Sequence, residues 1–172
     1  MGKRFNHYQY YVEGESEKAL INALKLGPDA LLISGKVSVF NVVQNRLEDM
    51  RLRALEPDTI VILVFDTDTS NADMLRENIK KLKGSNHVVG IWCVTQIYNF
   101  EDELVYATDI SSVKELTGSK SNKDFKRDFQ KEKDVKAKLM QYNFSIEKLW
   151  SRSPDGAFAE FGNDGEKVKK QK

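Results

Sequence analysis

The stretch that most constrains the fold is "TIVILVFDTD", residues 59–68. Seven β-branched or apolar residues run without a break and then meet two aspartates. A strand with one wet face alternates polar and apolar residues. An unbroken run of this length instead fits a strand covered on both faces, the situation inside a parallel sheet. Such a sheet needs helices on both sides and crossover connections between its strands.

The rest of the chain supplies them. "YQYYV" (8–12) reads as a strand ending near Gly14, and "SEKALINALKL" (16–26) puts Ala19, Leu20, Ala23 and Leu24 on one helical face. "GPD" (27–29) stops that helix, "ALLIS" (30–34) reads as a second strand, and 37–55 reads as a helix with Val39, Val42, Val43, Leu47, Met50 and Leu55 inward. The third strand is 59–65, the next helix 71–83, and the fourth strand 88–97. Strand and helix thus alternate, which predicts βαβ units in an α/β fold. Beyond this core (1–98), residues 99–152 read as a helical extension: a helix at 100–108, a polar basic connection at 117–129, a helix at 131–143 and an apolar "FSIEKLW". Residues 153–172, ending "EKVKKQK", read as a disordered basic tail.

In open α/β sheets ligands bind beyond the carboxyl ends of the strands. Glu13 follows the first strand, and Asp66 and Asp68 follow the third. Residues two apart in an extended segment share a side, so both aspartates are expected to face one point. If the first and third strands are neighbours, three carboxylates converge. Unpaired, they repel and hold each other's pKa values up. A hard divalent cation, Mg²⁺ or Mn²⁺, relieves that repulsion. Glu15 and Glu17 open a predicted helix, where its dipole favours negative charge. That accounts for Glu15 and leaves Glu17 undecided. A polar turn is the plainer explanation of an isolated Asp-x-Asp.

"YYVEGESEKALI" followed by "VILVFDTD" resembles the TOPRIM domain, shared by topoisomerases, bacterial primases, the small 5S-rRNA maturation nuclease and nucleases of the OLD and RloB type. The resemblance covers residues 8 to about 98 and implies a four-stranded parallel sheet flanked by helices, with Mg²⁺- or Mn²⁺-dependent work on phosphodiester bonds. By motif position, Glu13, Asp66 and Asp68 match the family's acids. Asn71 stands where many topoisomerase-type members carry glycine. Glu-Gly-x-x-Glu, with Glu17 as second acid, is closer to the OLD and RloB-like nucleases. Those often add an acid after the fourth strand, and "YNFEDEL" offers Glu101, Asp102 and Glu103 there, with Glu101 or Glu103 as ligand to a second ion. Two ions would clamp the attacking and leaving oxygens. With Glu13, Asp66 and Asp68 alone, a one-ion site is the simpler arrangement.

An anionic substrate needs basic surroundings, yet the formal net charge is only +1, so affinity for nucleic acid must come from a local patch. Lys120, Lys123, Lys126 and Arg127 cluster in the extension and Lys36 follows the expected second strand; Lys126 and Lys123 are the candidates for stabilising transition-state charge. Asp124, Asp128 and Glu132 in the same stretch make a solvated, mixed-charge helix the plainer explanation of it. Tyr98, Phe100 and Tyr106 offer stacking surfaces or core packing.

The single cysteine, Cys93, rules out an intramolecular disulfide and argues against a zinc ribbon of the primase kind. No P-loop motif is present, so the ATPase that often accompanies such nucleases in bacterial anti-phage defence would be a separate subunit. No apolar run reaches a membrane span and the first residues lack a signal-peptide pattern, which predicts a cytoplasmic chain without a membrane partner. Oligomerisation stays open. The expected function is a metal-dependent nuclease cutting DNA or RNA. The alternatives are an RNA-processing enzyme similar to the rRNA maturase and a catalytically silent TOPRIM module.

Overall fold

The computed structural model describes residues 6–171; residues 1–5 and 172, the extreme ends of the expected core and tail, lie outside the described residues. Strands β1 (His7–Val12), β2 (Lys36–Val39), β3 (Thr59–Asp66) and β4 (Val88–Gln96) form one sheet in the order β2-β1-β3-β4, with every neighbouring pair parallel. Helices α1 (Glu15–Leu24), α2 (Asp49–Arg53) and α3 (Asp73–Lys83) lie between them in sequence. All eight residues of β3 are buried, which is what its unbroken apolar run requires.

Alternate side chains divide the core in two. Ile60, Ile62 and Val64 join Tyr10, Val12 and Val94 against Leu20, Ile21 and Leu24 of α1. Val61, Leu63 and Phe65 join Tyr11 and Cys93 against Leu75 and Leu82 of α3. Beyond β4 come α4 (Phe100–Ala107), α5 (Val113–Thr117), α6 (Phe125–Lys131) and α7 (Val135–Gln141). Phe100, Leu116, Phe125, Phe129 and Leu139 all enter the α1-side core, so the extension covers that face of the sheet and shares its core.

Three local expectations give way. The second strand is Lys36–Val39, and Leu32 makes only an isolated antiparallel bridge to Lys169. Gly35 permits the change of course: a Cβ there would lie 2.7 Å from the Tyr8 carbonyl oxygen. Residues 40–48 are not helical. Asn41 caps a turn by accepting from the N–H groups of Val43 and Gln44, and buried Asn78 of α3 serves the backbone of Val42, Asn45 and Leu47. The expected inward Met50 is exposed. The polar connection contains α6, because Phe125 and Phe129, one turn apart, pack on Phe100.

The largest correction is the tail. Residues 153–171 are packed, with short 3₁₀ turns at Gly156–Phe161 and Gly165–Val168; Phe158 is buried on the α3 side and Val168 on the α1 side. Asn163 accepts from the Thr95 N–H at 3.3 Å and donates to its carbonyl at 3.1 Å. Asp164 accepts from the Cys93 N–H at 2.9 Å, and its own N–H donates to the Cys93 carbonyl at 2.7 Å. Two side chains and one amide thus satisfy backbone that an edge strand would leave open. Gly165 passes so close to Trp150 that a Cβ would fall 2.1 Å from its carbonyl oxygen. Charge and small residues suggested disorder; the few apolar anchors and the hydrogen bonds to β4 decide otherwise.

Candidate functional site

The strand order reverses at β1: the chain goes from β1 to one side for β2 and returns to the other for β3. The crevice between the carboxyl ends of β1 and β3 is therefore the sheet's switch point, the favoured ligand position in such folds. Glu13 leaves β1 there, and Asp66 ends β3. The Asp66 N–H donates to Glu13 Oε1 at 3.1 Å. A cavity of about 190 Å³ opens beside them, lined among others by Glu17, Asn41, Lys126 and Gln130.

Three acids of this crevice titrate abnormally. Burial pushes the Asp66 carboxyl up to about 9, reinforced by the negative charges of Glu13 and Glu17 and offset in part by a hydrogen bond from Gln96. Burial also raises Glu13; hydrogen bonds from Asp66 oppose it, while Glu17 and Asp68 add repulsion. Glu17, only 3% exposed, is raised by burial against the help of its own N–H and of Lys126. Lys126 sits on α6 with its Nζ 3.2 Å from Glu101 Oε1. Burial works against the Lys126 charge, but Glu101, Glu17 and Asp66 outweigh it and its pKa rises.

The remaining expected residues separate. Asp68 is exposed and lies outside the cavity lining. The regular strand ends at Asp66, the Thr67 N–H donates to the carbonyls of Gln96 and Tyr98 at 3.2 and 3.0 Å, and the Asp68 charge still adds to the repulsion on Glu13. Glu103 is no free ligand. It is completely buried, accepting from the N–H groups of Ile97 at 2.9 Å and Trp150 at 3.1 Å and from the Arg152 guanidinium at 3.2 Å. Lys36 opens β2 opposite Gln9, at the end of the sheet away from Glu13. Lys120 and Lys123 are exposed between α5 and α6, and Arg127 is engaged by Asp124 and Asp128. Of the basic candidates, only Lys126 reaches the cavity. A larger hollow of about 430 Å³ at the far end of the sheet is lined by Arg53, Lys80, Lys81 and His87, with its one acid, Asp49, paired to Lys81 at 2.8 Å.

Sequence reasoning missed Gln96. This fully buried amide faces Asp66 across the β3–β4 ladder, donates to Asp66 Oδ1 at 2.7 Å, and accepts from the Trp150 indole at 3.3 Å. A glutamine closing an otherwise apolar strand, in register with an acid, was the available signal. Ser16 and Gln130 bond each other at 3.3 Å at the cavity rim and gave no such signal.

The donor chemistry fits a small hard cation: carboxylate and amide oxygens, no sulfur, and more negative charge than Lys126 alone neutralises. Among the described residues, however, no group of three or more His, Cys, Asp or Glu side chains stands in a metal-holding arrangement. The chain matches no family model, no curated protein and no solved structure. Among the described residues no helix is long and apolar enough to cross a membrane.

Proposed function

We propose that this chain is a divalent-metal-dependent phosphodiesterase of the TOPRIM kind acting on nucleic acid. One observation carries the reading: Glu13 and Asp66 abut at the switch point of a parallel sheet, half-sealed from water, with Asp66 held up to about 9. A buried carboxyl raised by burial and by the charges of neighbouring acids costs the fold stability, and a cation bound there would relieve that cost. Mg²⁺ is commonly held by one or two carboxylates, with waters and substrate phosphate completing the shell, so a preformed three-acid cage is not demanded.

Glu13 and Asp66 would hold the ion. When bound, it supplies Lewis-acid stabilisation of phosphate charge and lowers the pKa of water. Gln96 donates to Asp66 Oδ1 and so orients the carboxyl that would hold the ion. Among the described residues Lys126 offers the one cationic hydrogen-bond donor at the cavity, placed to meet a phosphate oxygen. Its ammonium stands by Glu101 and feels Glu17 and Asp66, which favours a one-ion site in which lysine takes the place of a second cation.

A second reading is a silent binding module in which Glu13 and Asp66 share a proton, favoured by the absence of a three-acid group among the described residues. Incubation with plasmid, single-stranded DNA and tRNA in Mn²⁺ separates the two. The enzyme nicks or degrades at least one of them and Asp66→Asn does not. A chain that leaves all three intact, and gains no thermal stability from Mn²⁺, is the silent module.

A further inference from the structure

We infer that Tyr98 is a stacking platform for an unpaired nucleobase, so that the substrate enters the crevice single-stranded. The inference rests on the phosphodiesterase reading above. Of the three aromatic candidates, Phe100 is completely buried and the Tyr106 ring lies under Arg152, whose guanidinium carbon is 4.1 Å from the ring centroid. Tyr98 alone is widely exposed, at 59%. Among the described residues its ring meets no aromatic or cationic partner.

Its backbone is also strained. Tyr98 has φ +61°, and the Asn99 N–H donates to the Ile97 carbonyl at 3.0 Å across it, closing a three-residue γ-turn. The positive-φ form of this turn is rare and unfavourable, above all for a bulky side chain. Trp150 shares a positive φ, but its ring is buried and hydrogen-bonded, so packing accounts for it. The Tyr98 ring, being exposed, has no such packing.

The turn is nevertheless fixed. The Tyr98 N–H donates to Thr67 Oγ1 at 3.0 Å, the Thr67 N–H donates back to the Tyr98 carbonyl at 3.0 Å, and Asn99 caps α4 by accepting from the Asp102 N–H at 2.9 Å. Thr67 is the residue between Asp66 and Asp68. The strained turn therefore ties an exposed ring to the segment that positions the catalytic acid, and strain maintained at such a point is a mark of function. An aromatic face accepts any base, but only one freed from pairing.

Short fluorescein-labelled single-stranded DNA, single-stranded RNA and blunt duplex DNA, titrated in Ca²⁺ against the full chain, test this. Tyr98→Ala weakens binding of one or both single strands by about 5- to 100-fold, the range of one lost base–aromatic stack. Tyr98→Trp retains it, and duplex binding changes less than about twofold, as phosphate contacts alone would give. An abasic single strand binds wild type as weakly as Tyr98→Ala binds the intact strand. Tyr98→Gly relieves the turn and raises Tm by about 2–4 °C while losing the same affinity. Unchanged single-strand affinity in Tyr98→Ala, an equal loss on duplex, or a lower Tm in Tyr98→Gly overturns the inference even if the enzyme cuts in Mn²⁺. Tyr98-dependent binding without cleavage keeps the stacking role and removes the phosphodiesterase reading. A wild-type chain that binds none of the three probes removes both.

Discussion

Two buried acids, Asp66 and Glu103, stand at the carboxyl end of the same sheet and meet opposite fates. Glu103 is completely buried, but two backbone N–H groups and the Arg152 guanidinium meet its oxygens. Asp66, 7% exposed, receives a hydrogen bond from the Gln96 amide and is surrounded by like charge from Glu13 and Glu17. Burial alone therefore does not mark a site. A buried carboxylate with its donors in place is structure, because its solvation has been replaced. One buried beside other acids, raised by burial and by their charge, stores free energy that a cation can recover.

The sharpest way to break this contrast is Asp66→Asn. It lowers cleavage by roughly 10³-fold or more, beyond the loss typical of a single transition-state hydrogen bond, and at the same time stabilises the metal-free protein at pH 8. The sign follows from linkage. Asp66 has its folded pKa raised from 3.8 to about 9, so the stability associated with its protonated form is complete below the unfolded value and is lost as pH rises through about 9. Metal-free wild type thus loses Tm between pH 5 and pH 9 more steeply than Asp66→Asn. Mn²⁺ restores Tm at pH 8 to wild type only. Parallel Tm curves for the two proteins in thermal melts would sink the claim that Asp66 is uncompensated.

Glu103→Ala is expected to act in the reverse sense. It strands the Ile97 and Trp150 N–H groups and the Arg152 charge, at a cost of about 3–5 kcal/mol. Thermal unfolding then moves down by roughly 6–20 °C, and Mn²⁺ still raises Tm as it does in wild type, because Glu13 and Asp66 are untouched. If instead Glu103→Ala melts like wild type but no longer responds to Mn²⁺, Glu103 is a ligand after all and the contrast is wrong.

How much of this was legible in the sequence depends on the range of the interaction concerned. The unbroken run at 59–65 announced a central parallel strand because burial on both faces is written into consecutive residues. Glu13 and Asp66 were legible because each directly follows an apolar strand. Asp68 was expected to share a side with Asp66; the regular strand stops at Asp66, and Asp68 is exposed and outside the cavity lining while its charge still acts on Glu13. Glu103 looked like a ligand because Arg152 and Trp150, the groups that satisfy it, lie some fifty residues away. The tail looked disordered for the same reason: its basic ending was visible in the sequence, whereas the β4 backbone that Asn163 and Asp164 bond lies some seventy residues away. Local pattern reveals which residues are buried together; it does not reveal which polar groups have been satisfied from a distance.

The weakest contrast is between Lys126 and the acid it touches. Lys126 Nζ lies 3.2 Å from Glu101, yet their side chains are 54% and 26% exposed, so water screens the pair and it contributes at most about 1 kcal/mol to stability. Glu101→Gln and Lys126→Met are accordingly expected to shift Tm by no more than about 2–4 °C. They differ in catalysis. Lys126→Met removes the cationic donor from the cavity and lowers kcat by about 10- to 100-fold, a loss smaller than that of an ion ligand. Glu101→Gln frees the ammonium and keeps a hydrogen-bond acceptor, so kcat stays within about threefold of wild type, a change below 1 kcal/mol. Should Glu101→Gln abolish cleavage as Asp66→Asn does, Glu101 holds a second ion, and the one-ion arrangement with lysine beside it gives way to a two-ion site.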